Sequence, residues 1–101
     1  MQVSGFDWDS GNRSKLVSHG VTVSEIEAVF HNRPFIEPDL VHSDAEDRFK
    51  AVGKTHDGRY VFIVFTFRGT SSHRLIRPIS ARFMHAKEIA IYEKAISKIQ
   101  D

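Results

Sequence analysis

The segment RYVFIVFTFR, residues 59–68, constrains the fold more than any other part of the chain. Its aromatic and β-branched residues favour a strand, and both faces of that strand are apolar. It therefore needs cover on both sides and belongs in the middle of a sheet. Asp57-Gly58 stands just before it, and a glycine that accepts positive φ is what a tight hairpin turn requires. Upstream, DRFKAVGKT (residues 47–55) alternates weakly. Phe49, Ala51 and Gly53 fall on one face, and Arg48, Lys50, Val52 and Lys54 on the other. Downstream, a Gly69-Thr70-Ser71-Ser72 turn leads to HRLIRPIS, the third strand of an antiparallel meander. Pro78 has no N–H for the ladder, which predicts an edge position or a bulge near the end of that strand.

Helical signals flank this meander. Asp7-Trp8-Asp9 is placed to cap a first short helix, with Leu16 and Val17 expected to face inward and Gly20 to end it. Thr22-Val23-Ser24-Glu25 is a capping box, and Ile26, Val29 and Phe30 follow at helical spacing, which predicts a second helix over residues 23–31. Pro34 and Pro38 bound an extended or loop segment. A last helix is expected over roughly residues 84–99, with Ile89, Tyr92, Ile96 and Ile99 on one face and Lys87, Lys94 and Lys98 on the other. The expected architecture is α+β in a single domain over residues 1–101: N-terminal helices, an antiparallel sheet, and a C-terminal helix packed on the sheet.

The chain contains no Cys, so disulfides and thiolate zinc sites are excluded. No apolar run approaches a membrane span, and a cytoplasmic protein with no membrane partner is the simplest expectation. The net charge of +1 conceals two unlike halves. Residues 1–47 carry three basic and nine acidic residues, a balance of −6, whereas residues 48–101 carry eleven and four, a balance of +7. Either the basic half meets a nucleic-acid backbone or the two halves pair with each other.

Three segments in order resemble the BrnT family of type II toxin–antitoxin ribonucleases. They are Phe6-Asp7-Trp8-Asp9 with HGVTVSEIEAVF (residues 19–30), then His42-Ser43 with Glu46, Arg48, Phe49, Gly53 and Asp57-Gly58-Arg59, then Ile79-Ser80-Ala81-Arg82 with Lys87-Glu88 and Tyr92. Two positions depart from the pattern: Ser18 stands where many members have Lys, and Arg77-Pro78 interrupts a run that many members keep apolar. The resemblance implies a RelE/ParE-like fold and RNA cleavage that arrests translation. It also implies neutralisation by a tightly bound antitoxin, expected to be a DNA-binding protein encoded adjacently and to form a hetero-oligomer with this chain. The reading from another class is a non-catalytic module, which binds RNA, poisons a topoisomerase as ParE-like proteins do, or serves as an antitoxin-binding co-repressor.

Metal-free RNA cleavage needs a base for the 2′-OH, cations for the charge developing on phosphorus, and an acid for the leaving oxygen. Arg82, at the close of the last strand, suits the phosphate clamp, and Arg48 is placed to reach the same surface or to bridge to Glu46 or Asp47. Glu46 and Glu88 are the candidate carboxylates, and Tyr92 is a candidate proton donor or a core residue with its hydroxyl at the rim. Lys50, Lys54, Arg68, Arg74 and Arg77 are the candidates for a basic field along RNA. His42 and His85 are the best placed of the six His, while His19 reads simply as a helix-end residue. No two His share an i, i+4 spacing on one helix, so neither a metal nor a cofactor is expected.

Overall fold

The computed structural model describes residues 3–41 and 46–100. In chain order the elements are β1 (Gly5–Phe6), α1 (Ser10–Val17), α2 (Val23–His31), β2 (Phe35–Pro38), β3 (Phe49–Lys54), β4 (Tyr60–Thr70), β5 (His73–Phe83) and α3 (Ala86–Gln100). The result is the expected α+β architecture, with one five-stranded sheet in the order β1-β5-β4-β3-β2. Among the described residues only the two-residue β1–β5 pairing is parallel. The doubly apolar segment forms most of β4, the middle strand of the sheet.

Local chemistry sets the helix ends. The Asp9 carboxylate accepts the Asn12 N–H at 3.0 Å while the Asn12 side chain accepts the Asp9 N–H at 2.8 Å, a reciprocal cap on α1. Thr22 and Glu25 make the same exchange at the start of α2, at 2.9 and 3.1 Å. The β3–β4 turn closes over His56, Asp57 and Gly58. Gly58 has φ +82°, and the Thr55 N–H donates to the Arg59 carbonyl at 2.9 Å.

Of the two short strands, β2 fills the extended or loop segment expected between Pro34 and Pro38, and β1 has no counterpart among the sequence expectations. β1 and β2 span two and four residues, too few for a period to show, and each exists because a longer neighbour offers its edge. β2 occupies one end of the sheet, where the missing N–H of Pro38 leaves no gap in a central ladder. Pro78 behaves as its chemistry requires. Val64 pairs with Ser80 and Phe65 with Pro78, so Ile79 is the extra residue of a β-bulge. Beyond the bulge β5 continues through Arg82 to Phe83.

The register separates two faces. Phe49, Ala51 and Gly53, then Val61, Ile63 and Phe65, then Ile76, Pro78 and Ala81 lie on one side, under Leu16, Val21, Ile26 and Val29, and this is the buried core. α1 closes the outer edge of β5, where the Asn12 side chain donates to the Pro78 carbonyl at 3.0 Å. On the opposite face α3 is attached through few groups. The Tyr92 ring lies 5.7 Å from Tyr60 and 6.4 Å from Phe35, and the Tyr60 hydroxyl donates to Glu93 at 2.9 Å. Ile99, expected on the inward side of α3, is 66 % exposed, because the last turn of the helix runs past the sheet. Among the described residues no helix is long and apolar enough to cross a membrane.

Candidate active site

The face opposite α2 carries most of the polar chemistry, and the β5 bulge is what assembles it. Arg77 pairs with Thr66 before the bulge and Arg82 with Phe62 after it. Both therefore point to the same side, although their spacing in an unbroken strand would place them on opposite sides. The Arg82 guanidinium sits over the Phe62 ring, 5.1 Å from its centroid. Its two terminal nitrogens each donate to a different oxygen of Glu88, both at 2.8 Å. Glu88 also accepts the backbone N–H of His85 at 3.0 Å and so caps the helix on which it stands. Arg82, Phe62, Ser80, Ala81 and His19 line a concavity of about 180 Å³.

A second concavity, of about 250 Å³, opens between α1 and β5. Glu46, Arg48 and Arg77 line it together with Lys15 and Asn12. Glu46 is ion-paired with Arg68 across the sheet. Arg77 lies 2.9 Å from Asp9 and 3.5 Å from Asp7, so it anchors the start of α1 to β5. The hydrogen bond to Arg77 is the main reason the Asp9 carboxyl is held below its usual value, and the same bond raises Arg77.

The other expected positions are distributed more widely. Lys50 stands on the same face, directly opposite Glu37 of β2, and the Lys54 ammonium lies 5.0 Å from the Tyr60 ring centroid. Arg74 falls on the buried side of the sheet, with its guanidinium 5.0 Å from the Phe67 ring. It is therefore separated from Arg68, Arg77 and Arg82. Tyr92 is wedged between Tyr60 and Phe35, and burial raises its hydroxyl above the usual phenol value. The Tyr60 hydroxyl is pushed up to about 12 by burial first and by its bond to Glu93 second. His42 and Ser43 lie outside the described residues. Lys15 and His19 enter the two concavities from the α1 side, although sequence reasoning assigned neither of them there. Among the described residues no three His, Asp or Glu side chains converge as a metal site would require.

The Arg82–Glu88 pair has a measurable signature. The Arg82 hydrogen bonds, and then the His85 N–H, hold the Glu88 carboxyl at about 2, against an ordinary glutamate value of 4.5. A depressed carboxyl stabilises the folded state above its unfolded value, and that contribution is lost as pH falls through the folded value. The attachment of the first turn of α3 is thus expected to weaken between pH 4.5 and about 2. Carboxyl-carbon NMR titration should place the Glu88 midpoint near the low end of that window and move it upward in Arg82→Gln. A Glu88 midpoint unchanged by that substitution would show that the pair does not persist in solution.

Residues 8–88 match the family model described as "Ribonuclease toxin, BrnT, of type II toxin-antitoxin system". None of the curated proteins compared with the chain matches it. The matched span takes in both concavities and ends at Glu88, so Tyr92 lies just beyond it. With the match covering most of its length, the chain belongs to the BrnT family of ribonuclease toxins of type II toxin–antitoxin systems.

Proposed function

We propose that the protein cleaves RNA by attack of a 2′-hydroxyl on the adjacent phosphorus, without a metal ion, and so arrests translation in the cytoplasm until a cognate antitoxin binds it. The observation that carries this reading is the placement of Arg82. It is half exposed on the open face at the end of β5, and Glu88 grips it through both terminal nitrogens. A guanidinium oriented in this way presents its remaining N–H donors to a phosphate with little reorganisation. Arg48, in the neighbouring concavity, supplies a second cation, while Lys50, Lys54 and Arg68 extend the basic surface along the strands. Arg77 adds to the charge near Arg48 while it ties down α1.

Within this scheme Glu88 and Glu46 orient Arg82 and Arg68, and Tyr92 fastens α3 to the sheet. The antitoxin, a DNA-binding protein encoded nearby, holds exposed apolar positions. Ile91, 64 % exposed between Lys87 and Lys94, is one of them. Incubating the purified protein with RNA in chelator tests the reading. Cleavage leaving 2′,3′-cyclic phosphate and 5′-hydroxyl ends is expected. Cleavage only after magnesium is restored would overturn the metal-free step. RNA binding without cleavage under either condition would make the protein a binding module instead.

A further inference from the structure

With Glu46 and Glu88 committed to arginines, no group assigned so far is suited to move the proton of the attacking hydroxyl. The concavity around Arg82 contains one. His19 lies at the close of the α1 turn, where its backbone N–H donates to the Leu16 carbonyl at 3.2 Å. Gly20 follows with φ +81°, and the chain then dives to Val21, which is 1 % exposed. This turn, fixed between a buried Leu16 and a buried Val21, places His19 in the lining of the same hollow as Arg82, Ser80 and Phe62. Among the described residues no hydrogen bond or ion pair engages that ring, although Arg82 beside it is held on two sides. The lining of this hollow of about 180 Å³ thus joins a fixed cation, an aromatic ring, a hydroxyl and an uncommitted imidazole.

We propose that His19 is a catalytic residue of this hollow, acting as the base that takes the 2′-hydroxyl proton while Arg82 holds the phosphate. The inference rests on the ribonuclease reading above and extends it to the proton-transfer group. The O2′–P bond forms as the 2′ proton passes to the neutral imidazole. The P–O5′ bond then breaks, and the 5′ oxygen takes a proton from water. The products are a 2′,3′-cyclic phosphate and a 5′-hydroxyl, with no change of oxidation state. The imidazolium returns its proton to solvent through the open mouth of the hollow.

A pool of random-sequence single-stranded RNA serves as the probe. Positioned general bases contribute about 10²–10⁴-fold to such steps. His19→Ala is therefore expected to lower kcat by at least about 10²-fold with little change in KM. Added imidazole should restore part of the lost rate, a rescue that a merely structural histidine would not show. His73→Gln, at the exposed start of β5, should cleave at the wild-type rate. Circular dichroism and thermal unfolding of His19→Ala should match the wild type, because the side chain is exposed. His19→Gln provides a second variant of similar size.

Wild-type rates in folded His19→Ala and His19→Gln would overturn the proposal while leaving the ribonuclease reading standing. A rate loss confined to KM, or one that imidazole does not relieve, would also overturn it. An inactive wild-type protein would remove the ribonuclease reading, and the role of His19 with it.

Discussion

Replacement of Arg82 by alanine is expected to abolish growth inhibition and to lower RNA cleavage by about 10²–10³-fold, the range for loss of one preorganised transition-state donor. The fold should persist. The Arg82 side chain is 43 % exposed and its partner Glu88 is 35 % exposed, so the carboxylate left behind can be hydrated where it stands. The β4–β5 ladder passes through backbone groups that the substitution leaves in place. Binding to the antitoxin should therefore survive, and co-purification of the variant with it provides the folding control. Arg82→Lys keeps the charge but not the planar fork, so it cannot hold both Glu88 oxygens and a phosphate together. It should recover only a small part of the activity. Glu88→Gln separates two meanings of the pair. If Glu88 orients the guanidinium, the rate falls; if it merely occupies the guanidinium, the rate rises. Full toxicity from a folded Arg82→Ala protein would remove this residue from the site.

The sequence made the centre of this fold legible and left its edges hidden, for identifiable reasons. Ten residues that are apolar on both faces admit one placement, and β4 has it. Thr22 and Glu25 fix the start of α2 through bonds made within one turn, so its bounds follow from sequence alone. β1 and β2 depend on hydrogen bonds to other strands: Pro34 and Pro38 marked β2 only as extended or loop, and nothing local announces β1.

The candidate site divides along the same line. Arg82 and Glu88 lie six residues apart, and their pairing follows from the strand-to-helix corner they share. Which arginines share a face with Arg82 depends on a single extra residue. Without the bulge at Ile79, Arg74 would join Arg82 and Arg77 would oppose it; with the bulge, the two exchange sides. Pro78 signalled a bulge, but its exact place lay in the pairing. The unlike charges of the two halves also have a partly internal explanation, since Arg68 pairs with Glu46, and Arg77 with Asp7 and Asp9. His19 was hidden differently. Its local surroundings, next to a helix-ending glycine, explain it fully, and its neighbour in space is more than sixty residues away.

Phe65→Ala is expected to be the most damaging single truncation in the core. The ring is 0 % exposed and is the largest of the fully buried side chains. It packs edge-on against Phe30 at 5.1 Å and Phe67 at 5.4 Å, and stacks on Phe49 at 5.6 Å. These contacts join α2, β3 and β4, so the loss is felt on several elements at once. Collapse into the vacated space is blocked, because the backbone at residue 65 is paired with Phe49 on one side and Pro78 on the other. The space would instead merge with the adjoining groove of about 500 Å³ lined by Phe6, Phe30, Phe67 and Ile76. Phenylalanine-to-alanine changes in such positions cost about 3–5 kcal/mol. A domain of this size has about 5–15 kcal/mol in all, so the variant should lose a large fraction of its stability. Urea titration should show the loss as a lowered midpoint, and thermal unfolding as a fall of roughly 12 °C or more. Phe67→Ala, at a half-buried position on the rim of the same groove, should cost distinctly less. If the two variants lost equal stability, or if Phe65→Ala cost under about 1 kcal/mol, the aromatic cluster would not be the keystone of the core, and the burden would shift to the aliphatic layer of Ile26, Val29 and Ile63.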